Sequence, residues 1–144
     1  MGWIKLTIEE DVELLMEHVD GFHDWYVAGF SYDPLAQSED DDLNLARFKV
    51  DTDALTITIR WDAKTKRGIW PEVQVEFRHL HVFNFSNYND PDPLWGCAIE
   101  KMIGGCWVFA DDNCGGLSED ERLHPEQIVS NLLVTCEEIR WRAL

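Results

Sequence analysis

The chain has 144 residues, which is enough for a single domain with its own hydrophobic core. Its 28 acidic residues outnumber 12 Lys and Arg, so the formal net charge is -16 at pH 7. A field of this sign repels phosphate backbones and anionic lipid, which argues against nucleic-acid and membrane-surface binding and favours a basic protein partner. Solubility alone explains the charge equally well, and nothing in the sequence indicates an oligomeric state.

The N-terminus predicts neither export nor membrane anchoring. The opening MGWIKLTIEEDVELL becomes acidic within ten residues and has no long apolar run or small-residue cleavage site. No apolar stretch approaches the roughly 18 residues of a membrane span. We therefore expect a cytoplasmic protein whose cysteines, which include no CxxC pair, are reduced and mostly buried. They are Cys97, Cys106, Cys114 and Cys136.

Residues 7–20 predict one N-terminal helix. Thr7 followed by Glu10 matches a capping box, in which a hydroxyl and a carboxylate satisfy the first amides of the helix. Gly21 is suited to end the helix. Between these positions, apolar residues recur at helical spacing: Ile8, Val12, Leu15, Met16 and Val19.

After the helix, the hydrophobic period changes from 3.6 to 2, which indicates strands. In DWYVAGFSYD this alternation puts Phe30 and Tyr32 on the face opposite Trp25 and Val27. In ALTITIRW the inward set is Leu55, Ile57, Ile59 and Trp61.

Two features further along the chain predict local irregularities. The long strand 72–85 slips in phase near Arg78–His79, which predicts a bulge. Gly104–Gly105, between two apolar runs, predicts a two-residue hairpin turn.

These elements predict a mainly β (α+β) fold in one domain, residues 1–144. We expect an antiparallel β-sandwich or half-open barrel of about six to eight strands with one N-terminal helix, because turn signals recur about every ten residues.

Four residues are candidate metal ligands. His79 and His81 are two apart on a strand, so their side chains should share a face. With His23 and Asp24 they could form a three-histidine or histidine–carboxylate site. Histidines that are exposed or hydrogen-bonded are the commoner outcome of such spacing. Asp24 and His23 also lie at the predicted helix–strand junction, where both side chains suit local hydrogen bonding.

A second group of candidates combines aromatic rings and acids near prolines. Exposed loop aromatics among acidic residues make a credible protein-binding hot spot, and packing at the edge of the core is the alternative. The candidates are Trp70, Tyr88, Trp95, Asp90 and Asp92.

No catalytic or cofactor signature is present. The chain has no GxSxG, P-loop, GxGxxG or HExxH motif, and we expect no cofactor. Cys106 and Cys136 lie in apolar strands, where a thiol is inert, and the acidic neighbours of Cys114 raise a thiol pKa.

Four segments carry a family resemblance: FHDWYVAGF, TDALTITIRW, VQVEFRHLHVFNF and NLLVTCEEIRW. They resemble a diffuse group of small, mostly uncharacterised bacterial proteins. In that group F-H-D opens the first strand, V-x-V-x-F-x-x-(L/V) lies in the middle, and C-E-x-I marks the last strand. Some members are classed as immunity proteins against polymorphic toxins. The resemblance covers most of residues 20–142 in outline, implies a compact β-rich fold without catalysis, and assigns no functional residue.

The sequence therefore favours a non-catalytic, acidic protein-binding domain, and an immunity protein that neutralises a basic toxin is its most concrete form. Two alternatives stay open. One is a metal-dependent enzyme using His23, Asp24, His79 and His81. The other is a ligand- or sugar-binding β-sandwich module using Trp70, Tyr88 and Trp95.

Overall fold

The computed structural model of the protein describes residues 2–36, 52–61, 71–85, 93–94, 96–111, 116–128 and 130–144. In these ranges seven antiparallel strands form one open sheet, and an N-terminal helix packs on it. The predicted mainly β fold with an N-terminal helix is confirmed. The strands are β1 (Ile4–Lys5), β2 (Trp25–Ala36), β3 (Thr52–Trp61), β4 (Glu72–Phe85), β5 (Cys97–Lys101), β6 (Trp107–Asp111) and β7 (Leu132–Ala143). The helices are α1 (Glu9–Val19) and the short α2 (Glu119–Leu123).

The sheet curls until its two edges approach each other at one end. The strand order is β2-β3-β4-β7-β6-β5, with β1 pairing beside β7. Leu94, which lies three residues ahead of β5, nevertheless bonds to the start of β2. Its amide donates to the carbonyl of Trp25 (2.7 Å), and its carbonyl accepts from the amide of Asp24 (2.9 Å). A flat sheet would hold β2 and β5 at opposite edges, five strand positions apart, so the structure is a half-open barrel in form.

The main core fills the concave face of this sheet. Helix α1 contributes Leu15 and Val19, which are fully buried against residues from every strand from β2 to β7. Phe22, in the 3-10 turn that follows the helix, is also fully buried. Its ring meets Trp25 and Phe109 edge to face, each at a centroid distance of 5.8 Å. Aromatic packing therefore ties the end of the helix to β2 and β6.

The helix ends in a run of left-handed residues. Asp20, Gly21 and Phe22 have φ of 50°, 64° and 61°. Gly21 was expected to end the helix by itself, but Asp20 is already its left-handed cap and Gly21 extends the reversal. The reversal turns the Phe22 side chain into the core.

The alternation prediction for β2 was wrong. The register of β2 shifts between Val27 and Gly29, so one extra residue puts Phe30 on the same face as Val27, opposite Ile57. In β3 the predicted alternation holds, because Trp61 is on the same face as Ile59 and its ring stacks on Trp25 at 6.4 Å. Trp61 is nevertheless 42% exposed, since it is the last residue of the strand.

The two predicted irregularities are confirmed. The β4–β7 register shifts between Leu80 and Val82, and His79 has a left-handed φ of 55°. The β5–β6 hairpin turns at Gly104–Gly105, where the amide of Gly105 donates to the carbonyl of Met102 (2.9 Å). The loop holds three residues rather than two, and Gly105 takes the positive φ (92°) that this turn requires.

A second, smaller core lies on the convex face. It joins Ala98, Val108 and Leu133 of the sheet to Leu117 and Ile128, which flank α2. Helix α2 begins at a capping box, in which Ser118 accepts from the amide of Glu121 (3.2 Å) and Glu121 accepts from the amide of Ser118 (3.0 Å).

The rest of the convex face carries a buried charge network. Glu76 on β4 lies directly opposite Arg140 on β7 and accepts from the Nε atoms of Arg140 (2.7 Å) and Arg78 (2.5 Å). All three residues are at most 8% exposed. The Trp3 ring covers this network, 5.0 Å from the guanidinium of Arg140 and 4.3 Å from that of Arg142. Cation–π contacts and ion pairs thus replace an apolar core here.

Replacing Glu76 by Gln should lower the free energy of unfolding by about 3 kcal/mol, because it leaves two buried guanidinium groups without their shared carboxylate. Glu72→Gln is the control. Glu72 pairs with the half-exposed Arg60 at the surface, so its loss should cost less than about 1 kcal/mol. Urea unfolding followed by tryptophan fluorescence measures both values, and equal losses in the two variants would contradict the assignment.

The start of α1 is capped by Asp11, whereas the sequence pattern pointed to Glu10. One carboxylate oxygen of Asp11 accepts from the amide of Thr7 (2.8 Å), the hydroxyl of Thr7 (2.8 Å) and the amide of Ile8 (3.0 Å). The amides of Ile8 and Thr7, and then the Thr7 hydroxyl, lower the pKa of Asp11 from its ordinary 3.8.

Asp11→Ala should therefore lower the melting temperature at neutral pH, whereas Glu10→Ala on the same turn should leave it unchanged. Since the folded state lowers the pKa of Asp11, its contribution is present above pH 3.8 and disappears as the pH falls through the folded-state value. Thermal unfolding by circular dichroism at pH 7 and pH 3 checks the effect. A larger fall in melting temperature for Glu10→Ala than for Asp11→Ala would instead support the capping box of Thr7 and Glu10 that the sequence predicted.

Candidate functional site

The five residues predicted as a binding surface, Trp70, Tyr88, Trp95, Asp90 and Asp92, lie outside the described residues, as does Cys114. Their role stays a prediction from the sequence.

The predicted metal ligands fall into two separate pairs. His23 and Asp24 precede Trp25, which is opposite Trp61, whereas His79 and His81 follow Arg78, which is opposite Ala54. Those positions on β3 are seven residues apart, or about 23 Å at about 3.3 Å per residue. The four residues therefore form no common site. Among the described residues, no group of three or more His, Cys, Asp or Glu is arranged to hold a metal ion.

Each pair has a local partner instead. His79 and His81 share a face, as predicted, and both lie near Glu137 of β7, with nitrogen–oxygen distances of 3.9 and 3.5 Å. The His23 Nδ1 lies 3.0 Å from Asp24 Oδ2, and both side chains are more than half exposed. Asp24 has a left-handed φ of 65°, which aspartate tolerates better than most residues. The pair therefore belongs to the helix–strand junction.

The Cys136 thiol of β7 is a poor nucleophile. Cys136 is fully buried, and its Sγ donates to the carbonyl of Glu138 (3.4 Å). Burial raises the pKa of the Cys136 thiol to about 12. Cys106 is a partly exposed free thiol at the end of the β5–β6 turn. The expectation of an inert thiol inside an apolar strand is therefore confirmed at Cys136 and was wrong for Cys106, which lies before β6 and is partly exposed.

The most distinctive surface feature is a cluster of exposed aromatic side chains, which we call the aromatic patch: Phe30, Tyr32 and Phe83. Phe30 is 54% exposed, Tyr32 53% and Phe83 37%. The Phe30 ring meets Phe83 edge to face at 5.8 Å and the half-buried Phe85 at 6.2 Å. Isolated exposed aromatics are ordinary, so the direct contact between exposed rings is what sets this patch apart.

The patch owes its existence to the bulge in β2. That extra residue brings Phe30 and Tyr32 onto the concave face, where strict alternation would place them outside. Gly29, which directly follows the slip, is the sequence signal that could have revealed it, since glycine inside a strand often marks a bulge. The α1 residues Leu15 and Val19 pack against the core and leave the patch uncovered.

An acidic residue is fixed at the border of the patch. Tyr32 donates its hydroxyl to Asp53 Oδ2 (3.0 Å), and the amide of Leu80 donates to Asp53 Oδ1 (3.2 Å). The carboxylate of Asp53 raises the pKa of Tyr32, first through this hydrogen bond. The segments that follow β2 and β4 in sequence are acidic as well: residues 37–51 hold five Asp and Glu against two Lys and Arg, and residues 86–92 hold two Asp and no base.

No protein-family model, curated protein or solved structure matches the chain. None of the helices in the described ranges is long and apolar enough to cross a membrane.

Alkylation rates should distinguish the thiol of Cys136 from that of Cys106. At pH 8, iodoacetamide should modify Cys136 about a thousandfold more slowly than a thiol with a pKa of 9.0, because only the thiolate reacts. Cys106 is the internal control and should label in the folded protein. Peptide mass spectrometry measures both, and urea should expose Cys136. Rapid labelling of Cys136 in the folded chain would contradict its burial.

Proposed function

We propose that this chain is a non-catalytic, acidic protein-binding domain that docks a basic protein through the aromatic patch. The observation that carries the proposal is the exposed aromatic group Phe30, Tyr32 and Phe83 on a chain of net charge -16. Aromatic side chains dominate binding energy at protein interfaces, and the surrounding charge speeds docking of an oppositely charged partner.

The chemistry of the patch suits basic side chains. Arginine and lysine stack on exposed aromatic rings through cation–π contacts, which gain strength as water is excluded. The Asp53 carboxylate at the border, oriented by Tyr32 and Leu80, supplies an acceptor for a guanidinium placed over Tyr32. The patch thus combines apolar area with a fixed negative group.

The concrete form of this proposal is an immunity protein that neutralises a basic toxin. Its support is the resemblance of four segments to a group that includes immunity proteins, together with the charge and the exposed aromatic patch. A metal-dependent enzyme has less support, because its four ligands lie in two pairs at opposite ends of β3. A sugar-binding module rests on Trp70, Tyr88 and Trp95, which no described contact supports.

The test uses the purified product of the gene adjacent to this one as the partner and isothermal titration as the measurement. Phe30→Ala/Phe83→Ala should weaken the complex by at least about tenfold, because truncated aromatic hot spots cost more than about 1 kcal/mol. Leu14→Ala/Leu123→Ala is the matched control, since both leucines are exposed but lie on helices away from the patch. Its affinity should equal that of the wild type.

Two controls separate specific docking from charge alone. Hen lysozyme and cytochrome c, as unrelated basic proteins, should bind weakly and respond equally to both double variants. The immunity form further requires that the wild-type chain, and not the aromatic variant, inhibits the toxicity of the adjacent gene product in co-expression. A complex unaffected by Phe30→Ala/Phe83→Ala would reject the aromatic patch as the docking surface. The absence of any complex would reject the adjacent gene product as the partner.

A further inference from the structure

Among the described strands, β5 forms one edge of the sheet. The amide of Met102 donates to the carbonyl of Cys106 (2.7 Å), which makes these residues a hydrogen-bonded pair. Because such pairs alternate in an antiparallel ladder, Glu100 bonds to Val108, and Ile99 and Lys101 direct their amides and carbonyls away from β6. Within the described ranges, no residue supplies these outward groups with a backbone hydrogen bond.

A groove runs beside this open edge, between β5 and helix α1. Its volume is about 390 Å³, and an adjoining hollow of about 330 Å³ continues it toward Cys97. The two share Val12 and Met16 of the helix and Ile99 of the strand, and together they follow β5 over its full length. The floor is apolar, because Ile99 and Trp107 are buried beneath it.

The walls of the groove are acidic. Glu9 and Glu13 are exposed, lie one helical turn apart and line it from the side of α1. Arg122 lines the far end, but its Nε bonds to Glu100 Oε1 (2.9 Å), so its charge is already matched. Lys101 is the other cation, and it leans over the ring of Trp107 at 5.9 Å. The helical wall therefore presents unmatched negative charge.

We propose that this groove binds an extended, basic polypeptide segment, which adds to the sheet as a strand beside β5. The segment would exchange backbone hydrogen bonds with Ile99 and Lys101 and direct every second side chain toward α1. Lys or Arg at these positions would pack its aliphatic stem on Val12 and Met16 and extend its charged end to Glu9 and Glu13. Strand addition in a groove between an edge strand and a helix gives affinity through the backbone and selectivity through alternate side chains. The site lies on the opposite edge of the sheet from β2 and does not depend on the aromatic patch.

A second copy of the chain is the competing occupant of an open edge. Pairing of two β5 strands would bring together two chains of net charge -16 and two sets of Glu9 and Glu13. These like charges would repel each other, so the groove favours a positively charged segment over a second copy of this chain.

The experiment uses the full chain labelled with ¹⁵N and the probe peptide acetyl-Lys-Val-Lys-Val-Lys-Val-Lys-amide. Addition of the peptide should shift the amide signals of Ile99 and Lys101 and slow their hydrogen exchange, because both amides gain acceptors. The same peptide with alternate backbone nitrogens methylated should bind at least tenfold more weakly, since it cannot complete the ladder.

Two variants test the protein side. Lys101→Pro removes an amide that points away from β6 and donates no hydrogen bond to it. The variant should therefore bind the peptide at least tenfold more weakly and keep the β5–β6 cross-peaks. Glu9→Gln/Glu13→Gln should weaken binding at least fivefold and reduce its salt dependence. Glu10→Gln/Glu17→Gln, which removes the same charge from the same helix outside the groove, should change it less than twofold.

Three outcomes would overturn the proposal. Equal binding of the methylated peptide would show that no strand is added. Equal weakening by the two glutamine pairs would show a response to net charge only. A concentration-dependent dimer that protects Ile99 and Lys101 without peptide would assign the edge to a second copy. Phe30→Ala/Phe83→Ala should leave peptide binding unchanged, so failure at this groove and failure at the aromatic patch can be told apart.

Discussion

The burial of Phe22 is the interaction on which the rest of the structure depends. Its side chain is fully buried between Trp25 and Phe109, although its backbone has a left-handed φ of 61°. Burying a phenylalanine contributes about 2–3 kcal/mol, and a left-handed residue other than glycine costs about 1–2 kcal/mol. The contact nevertheless persists because it joins the end of α1 to β2 at one edge of the sheet and to β6 next to the other edge. With the Leu94 hydrogen bonds, it holds the sheet in its curl.

The position of α1 determines which parts of the sheet are covered and which are exposed. Where α1 crosses the concave face, it completes the core, and along β5 it leaves the groove. Beyond the helix, the same face continues as the aromatic patch, because the β2 bulge brings Phe30 inward at a place that α1 does not cover. On the convex face, the network around Glu76 takes the place of an apolar layer. Both candidate binding surfaces are thus parts of the curled sheet that the helix does not cover.

The features that could be predicted from the sequence are those that depend on local periodicity. The helix, the strands, the bulge near His79 and the β5–β6 turn all leave a pattern within a few neighbouring residues. The features that the sequence did not predict depend on competition between neighbouring residues or on contacts between residues far apart in sequence. Glu10 and Asp11 both stand near the start of α1, and only the backbone geometry selects Asp11. The partnership of Glu76 with Arg140 joins residues 64 positions apart, and the one-residue slip at Gly29 reverses which face Phe30 occupies.

The position of β7 in the sheet has a consequence for how the protein folds. This strand follows all the others in sequence, yet it pairs with β1, β4 and β6. The hairpins β2–β3 and β3–β4 can form while the chain is being synthesised, but the two parts of the sheet can join only when β7 has left the ribosome. Folding is therefore expected to be late, non-local and cooperative. The exposed edge of β4 would need protection until then, which makes synthesis the period of greatest aggregation risk for this chain.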